Sequence, residues 1–231
     1  MRLMIISDVH ANLPALQAVF KDLKHNFGLV DYVLCAGDLI GYGPYPNEVC
    51  DAMRRLKNLI SVKGELDQAT IDGNLKGLEG TAAESIKWTR KVITQENLDF
   101  LDFMDTYRAL KIQGLKIFLV HGSPSDFLNG RISRLETLEN LENYFQITGA
   151  DIIISGQTHI PFVKELYGKY VINAGSVGMP TNENPKASYV FMDLDNMEIN
   201  FRRVGYDIDS VVERMRELNF PEAIINRFYF G

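Results

Sequence analysis

Three of the four histidines in this chain, His10, His121 and His159, stand just after a short apolar run, and so do Asp8 and Asp38. An apolar run that stops abruptly at a polar residue reads as a buried strand meeting its loop. In a sheet that alternates with helices, loops at the carboxyl ends of the strands gather at one edge, so residues far apart in sequence converge there. Carboxylate together with imidazole is a ligand set for first-row divalent ions. The chemistry to expect is that of a metal cluster. Each signal is weak alone, because Asp-x-His and Gly-Asp are common and a single histidine more often serves structure. The weight lies in their order: Asp8-x-His10, Gly37-Asp38, Gly64-x-x-Asp67, His121-Gly122, Gly156-x-x-His159.

The elements that must position these residues follow from periodicity. Residues 3–7 form an apolar run that ends at Asp8. Asn12 offers a helix N-cap, and Pro14 sits just inside, where its missing N–H does no harm. Leu13, Leu16, Val19, Phe20 and Leu23 then recur at helical spacing, and residues 32–36 form a second apolar run ending at Gly37-Asp38. That is a βαβ unit of the usual length, about 30 residues. A helix over 46–55 and a strand over 59–62 repeat the pattern, so the sheet begins parallel with both faces covered. Residues 68–110 break the rhythm with Gly73, Gly77 and Gly80, then two amphipathic stretches at 84–92 and 96–104. This segment reads as a helical insertion in one domain spanning 1–231. Beyond it come a hairpin over 111–121 turning at Gly114, a helix over 134–145 and a buried strand over 151–155. Two antiparallel hairpins, 162–174 and 188–204, precede a helix capped by Asp207 and a closing segment over 221–228.

Composition narrows the function classes. At 231 residues the chain can bury a sizeable core, and 46% hydrophobic with 23% charged residues is ordinary for a globular protein. The net charge of -6 argues against a nucleic-acid polymer or an anionic membrane as partner, since both are bound through Lys and Arg. It leaves room for a small phosphorylated substrate, because metal ions supply positive charge locally. The N-terminus lacks the features of a signal peptide, and no apolar stretch approaches the ~20 residues of a membrane span. Cys35 and Cys50 show no metal or redox spacing and read as free buried thiols in a reducing cytoplasm.

The ordered blocks resemble the five motifs of the calcineurin-like metallophosphoesterases, D-x-H, G-D, G-N-H-[DE], H and G-H-x-H. More narrowly, the chain is similar to small bacterial and archaeal phosphodiesterases grouped with diadenosine tetraphosphatases. The likeness runs nearly the full length through SDVHANLPAL, GDLIGYGPYPNE, WTRKVITQENLDFL, VHGSP, NAGSVGMP and YDIDSV. It implies an α/β fold, a four-layer αββα sandwich of two mixed sheets, with two metals at the strand ends. By that resemblance Asp8, His10, Asp38 and His159 hold one metal. Asp38 bridges to a second, held also by His121 and by the positions of Glu65 and Gln157. The resemblance implies that the metals would supply a hydroxide for in-line attack on phosphorus.

Two departures stand out. The chain has Gly64-Glu65-Leu66-Asp67 for G-N-H-D and Gly156-Gln157-Thr158-His159 for G-H-x-H. Glu65 and Gln157 make the second site oxygen-rich, which favours Mn²⁺, Fe²⁺, Ni²⁺ or Mg²⁺ over Zn²⁺; no organic cofactor is implied. Glu65 could instead pair with Lys63. Leu66 replaces a histidine that relatives use at the leaving oxygen, a role worth ~10²–10⁴-fold. Asn12 and Ser176 are candidates for substrate contact, although an N-cap explains Asn12 as well. Tyr42 and Tyr45 could line the pocket or pack their loop. Thr181 stands where relatives often carry Arg, so a phosphate-facing cation is missing there. The expected function is a metal-dependent phosphodiesterase on a small phosphodiester or nucleotide. The alternative is a metallophosphoesterase fold kept as a binding or regulatory module, as in the retromer subunit that resembles these enzymes. A homo-oligomer is left open.

Overall fold

Alternation along the central strands sets up the architecture. A computed structural model describes residues 1–181 and 183–230. Strand β1 (Arg2–Ile6) sends Leu3 and Ile5 to one face and Met4 and Ile6 to the other, and all four are fully buried. A strand buried on both faces has layers on both sides. Helix α1 (Leu13–Asn26), strand β2 (Tyr32–Cys35), helix α2 (Pro46–Arg54) and strand β3 (Leu59–Ser61) complete the parallel start. Asn12 caps α1 as expected, its side chain accepting from the Ala15 amide.

Helices α3 (Glu65–Asp72), α4 (Gly80–Val92) and α5 (Gln95–Asp102) follow. The first of these is not anticipated by the sequence reading, which assigns no element between the strand at 59–62 and the glycines from Gly73. Strands β4 (Tyr107–Ile112) and β5 (Leu115–Val120) form the first hairpin, turning at Gly114. Helix α6 (Leu138–Thr148) starts four residues later than expected. Residues 133–136 close a local turn instead, with the Glu136 amide on the Ser133 carbonyl and the Leu135 amide on the Ser133 hydroxyl. Thr137 then caps the helix. Strand β6 (Ile152–Ser155) precedes two antiparallel pairs, β7 (Phe162–Leu166) with β8 (Lys169–Asn173) and β9 (Ala187–Asp193) with β10 (Glu198–Val204). Helices α7 (Ile208–Glu217) and α8 (Glu222–Phe230) end the described chain.

Among the described residues the strands make two mixed sheets, ordered β10-β9-β1-β2-β3 and β4-β5-β6-β8-β7. Leu3, Ile5 and Leu34 of the first meet Ile117, Leu119, Ile152 and Ile154 of the second in an apolar inner layer. The outer face of the first sheet packs under α1 and α2 through Met4, Ile6, Leu16, Val19 and Met53. The outer face of the second packs under α6 through Phe118, Val120, Ile153, Leu141 and Phe145. This is the expected αββα sandwich. A fourth cluster joins α3, α4, α7 and α8 through Leu66, Ile86, Val212 and Ile225 beside one end of the sheets. No described helix is long and apolar enough to cross a membrane.

Candidate metal centre

The loops after β1, β2, β5 and β6 carry Asp8, Asp38, His121 and His159, and all four side chains are buried. Asp8, His10, Asp38, Gln157 and His159 have φ of 54°, 49°, 51°, 66° and 59°. A non-glycine residue in this left-handed region costs roughly 1–3 kcal/mol and persists where its surroundings dictate it. Backbone bonds do so here: the Asp8 amide donates to the Gly37 carbonyl at 3.0 Å and the His10 amide to Asp38 at 3.1 Å. Gly64 is required beside Asp38, because any Cβ there would collide with Asp38 Oδ1. Asp67 fastens the same loop, accepting from the amides of Leu39, Ile40 and Gly64 at 3.2, 3.1 and 2.9 Å.

Each imidazole is oriented by a backbone carbonyl. Nδ1 of His10, His121 and His159 lies 3.4, 2.7 and 2.6 Å from the carbonyls of Ile40, Ala36 and Met179. A carbonyl only accepts, so the ring proton sits on Nδ1 and Nε2 presents its lone pair inward. The Nε2 atoms of His10 and His159 face each other at 3.1 Å. Asp8 Oδ1 lies 3.3 Å from His159 Nε2 and 3.8 Å from His10 Nε2. Asp38 Oδ2 lies 3.5 Å from His121 Nε2. Both oxygens of Asp8 and Nε2 of His121 are buried with no hydrogen-bond partner among the described residues. Buried lone pairs left without donors cost free energy, and lone pairs aimed at one another repel. A cation between them removes both penalties, so the donor set fits divalent metal ions.

Two compact groups result, Asp8 with His10 and His159, and Asp8 with Asp38 and His121; within each the ligand atoms lie within 4.8 Å of one another. The electrostatics agree with this crowding. Burial pushes the Asp38 carboxyl up to about 7, helped by the negative charges of Asp67 and Asp8. Burial would also raise Asp8, but the three imidazoles outweigh it and hold that carboxyl low. Burial and the neighbouring His159 hold His10 well below the usual imidazole range.

The other expected residues take these places around the two groups. Asp8 is common to the two compact groups, while Asp38, the expected bridge, lies in the second, with Oδ1 accepting from the Leu66 amide at 2.9 Å and Oδ2 3.5 Å from His121 Nε2. Glu65 belongs to neither group among the described residues; it accepts from Gln157 Nε2 at 2.9 Å. An amide donor beside a carboxylate makes this pairing natural, and it draws Glu65 away from Lys63. The Lys63 ammonium reaches Asp102 instead, 3.3 Å from its carbonyl. Asn12 and Ser176 are fully buried and occupied elsewhere. Asn12 donates to the Gly178 carbonyl and Tyr206, and the Ser176 hydroxyl lies between the Asp8 carbonyl and the Met179 amide. Both side chains thereby position the loops around the centre.

His10, Asp38 and His159 open on a cleft of about 520 Å³, which Glu65, Leu66 and Gln157 also line. Tyr42 lines it too, whereas Tyr45 packs in the helical cluster. Two cations of the lining were missed by sequence reasoning, Arg131 after β5 and Arg227 on α8. Neither lies in a motif, and the only sequence sign for Arg227 is a basic residue in a closing helical turn.

The profile of the calcineurin-like phosphoesterase superfamily domain matches residues 1–197. The uncharacterized protein MJ0912 of Methanocaldococcus jannaschii is 35% identical, over 98% of this chain and 97% of its own. Phosphodiesterase YfcE of Escherichia coli is 24% identical over 86% of this chain and 91% of its own. The crystal structure of a metallophosphoesterase from Sphaerobacter thermophilus superposes with a TM-score of 0.84 at 32% identity, covering 100% of this chain and 99% of that one.

Proposed function

The chain belongs to the calcineurin-like phosphoesterase superfamily, and from that premise we propose that it is a metal-dependent phosphodiesterase acting on a small phosphodiester or nucleotide. The observation that carries this reading is the convergence of three inward Nε2 lone pairs on the donor-free carboxylate of Asp8. A module kept only for binding has no physical need to align three imidazoles in this way. Divalent ions held by Asp8, His10 and His159 and by Asp8, Asp38 and His121 would supply an activated hydroxide and offset charge on the phosphate oxygens.

The chain's own residues do the rest. Asp8 places negative charge between the two groups. The carbonyls of Ile40, Ala36 and Met179 fix the ring tautomers. The Glu65–Gln157 pair gives the cleft a polar wall close to the centre. Leu66 offers no proton to a departing oxygen, so ester bonds with stable leaving groups should break most readily. Two carboxylates and one imidazole make the second group hard, which suits Mn²⁺, Fe²⁺, Ni²⁺ or Mg²⁺ better than Zn²⁺. The buried free thiols of Cys35 and Cys50 suit a reducing, cytoplasmic setting.

Elemental analysis joined to turnover of bis(p-nitrophenyl) phosphate tests the proposal. Protein stripped of metal should be inactive, and Mn²⁺ should restore more activity than Zn²⁺. Asp8→Asn should lose metal from both groups and lose turnover, while His121→Ala should keep metal at the first. Stoichiometric metal in the Asp8→Asn protein, or a clear preference for Zn²⁺, would overturn the ligand assignment.

A further inference from the structure

The cleft is acidic where a phosphate ester must enter. Asp38, Glu65 and Glu79 line it, and the whole chain carries a net charge of -6. Its permanently charged cations are Arg131 and Arg227. Arg131 is exposed, but Arg227 is half-buried and held on two sides. Its Nη1 donates to Thr81 Oγ1 at 3.0 Å, and its guanidinium carbon lies 4.8 Å from the centre of the Tyr42 ring. That ring in turn stands edge-on to His10, with centroids 5.1 Å apart. Among the described residues no carboxylate lies within 4.0 Å of the Arg227 guanidinium.

These constraints define what Arg227 can do. Guanidinium is a planar fork of five donors that stays charged at any working pH. One of the five donors goes to Thr81 and a second reaches the Tyr42 hydroxyl, which leaves further N–H groups without an acceptor among the described residues. A surface arginine gains little from being fixed in this way, since ordering its long side chain costs entropy. A fixed guanidinium beside a metal-ligand group is pre-ordered for an oxyanion, and such charge-assisted bonds are about twice as strong as neutral ones. The cleft volume of about 520 Å³ lies in the range of sites that take a whole small molecule rather than an isolated phosphoryl group.

We propose that Arg227 is a substrate-recognition residue whose guanidinium binds a phosphate oxygen of the phosphodiester cleaved at the metal centre, so that helix α8 forms part of the binding site. The residue lies on α8, beyond position 197, where the family profile ends. Thr81 and Tyr42 are then positioning residues that aim the guanidinium. The proposal rests on the phosphoesterase reading above, but its first test needs no turnover.

Calorimetric titration of the metal-loaded protein with inorganic phosphate measures the anion contact directly. Arg227→Met should weaken phosphate binding by roughly 10–100-fold, the loss expected for one charge-assisted contact. Arg227→Lys should restore part of it, because charge returns without the fork. On bis(p-nitrophenyl) phosphate the same variants should raise KM more than they lower kcat, with little change in thermal midpoint. If Arg227→Met does not fold, Arg227→Lys and Thr81→Val decide, each expected to weaken phosphate binding several-fold. Unchanged phosphate affinity in folded Arg227→Met, or in both of the milder variants, overturns the proposal. If the parent protein cleaves no ester, the function proposed above fails, while the phosphate titration still decides the role of Arg227.

Discussion

Leu66 packs with Tyr42, Ile86 and Met179 in the helical cluster and also lines the cleft, so one side chain belongs to both core and site. Its backbone does separate work, donating to Asp38. Replacing it with histidine keeps that backbone bond and brings an imidazole to the cleft wall, while burying a polar group at a cost of about 1–3 kcal/mol. We expect Leu66→His to speed alkyl diesters, whose alkoxide needs a proton, by up to ~10²-fold and nitrophenyl diesters far less. Rates on both substrate types, with stability measured alongside, check this. No gain on alkyl esters in a folded variant would mean that another group serves the leaving oxygen. At this scale the sequence was legible where chemistry and position coincide. Asp8, His10, Asp38, His121 and His159 each follow an apolar run, and all five converge. The pairing of Glu65 with Gln157 was not legible, because both side chains can serve a metal and only their mutual distance reveals the bond. Arg227 left only a basic residue in a closing helical turn, since it reaches the cleft from a helix far along the chain.

Helix α1 is pinned to the first sheet by one carboxylate. Asp22 accepts from Arg202 Nε and Nη2 at 3.1 and 3.0 Å and from the Tyr189 hydroxyl at 2.7 Å, joining α1 to β9 and β10. Burial alone would raise the Asp22 carboxyl, but the bonds from Arg202 and Tyr189 outweigh it and hold the carboxyl below its usual 3.8. A carboxyl depressed in the folded state adds stability above its unfolded value, and that stability is lost as pH falls through the folded value. Stability measured by urea unfolding should thus fall below about pH 4, and less steeply in Asp22→Asn. An equal acid slope in both proteins would remove Asp22 from the account. The parallel strands were easy to read, since burial on both faces gives unbroken apolar runs. Helix α3 was not: it has eight residues and follows Gly64, an N-cap with no capping side chain, so it depends on Asp67 accepting from the Gly64 amide. The local turn at 133–136 likewise replaced a helical start through hydrogen bonds that periodicity does not encode.

Across the whole molecule the candidate ligands tie two sheets together. Asp8, His10 and Asp38 come from loops of the first sheet, and His121 and His159 from loops of the second. Binding to the folded form alone adds stability by mass action, about 2.7 kcal/mol at a hundred times Kd. For a chain of this size that is a rise in thermal midpoint of roughly 5–10 °C. Saturating Mn²⁺ should give this rise and a chelator should remove it, with Asp8→Asn responding to neither. A parent protein indifferent to both would mean that the buried lone pairs are satisfied in some other way. The same arrangement fixes when an ion can act. His10 and His159, whose ring nitrogens meet at 3.1 Å, are 149 positions apart, and neither group of ligands is complete until the two sheets have closed on each other. An ion that needs a complete group therefore binds after the sheets have closed. It holds the finished protein by lengthening its lifetime against unfolding, and leaves the pace of folding to the apolar strands.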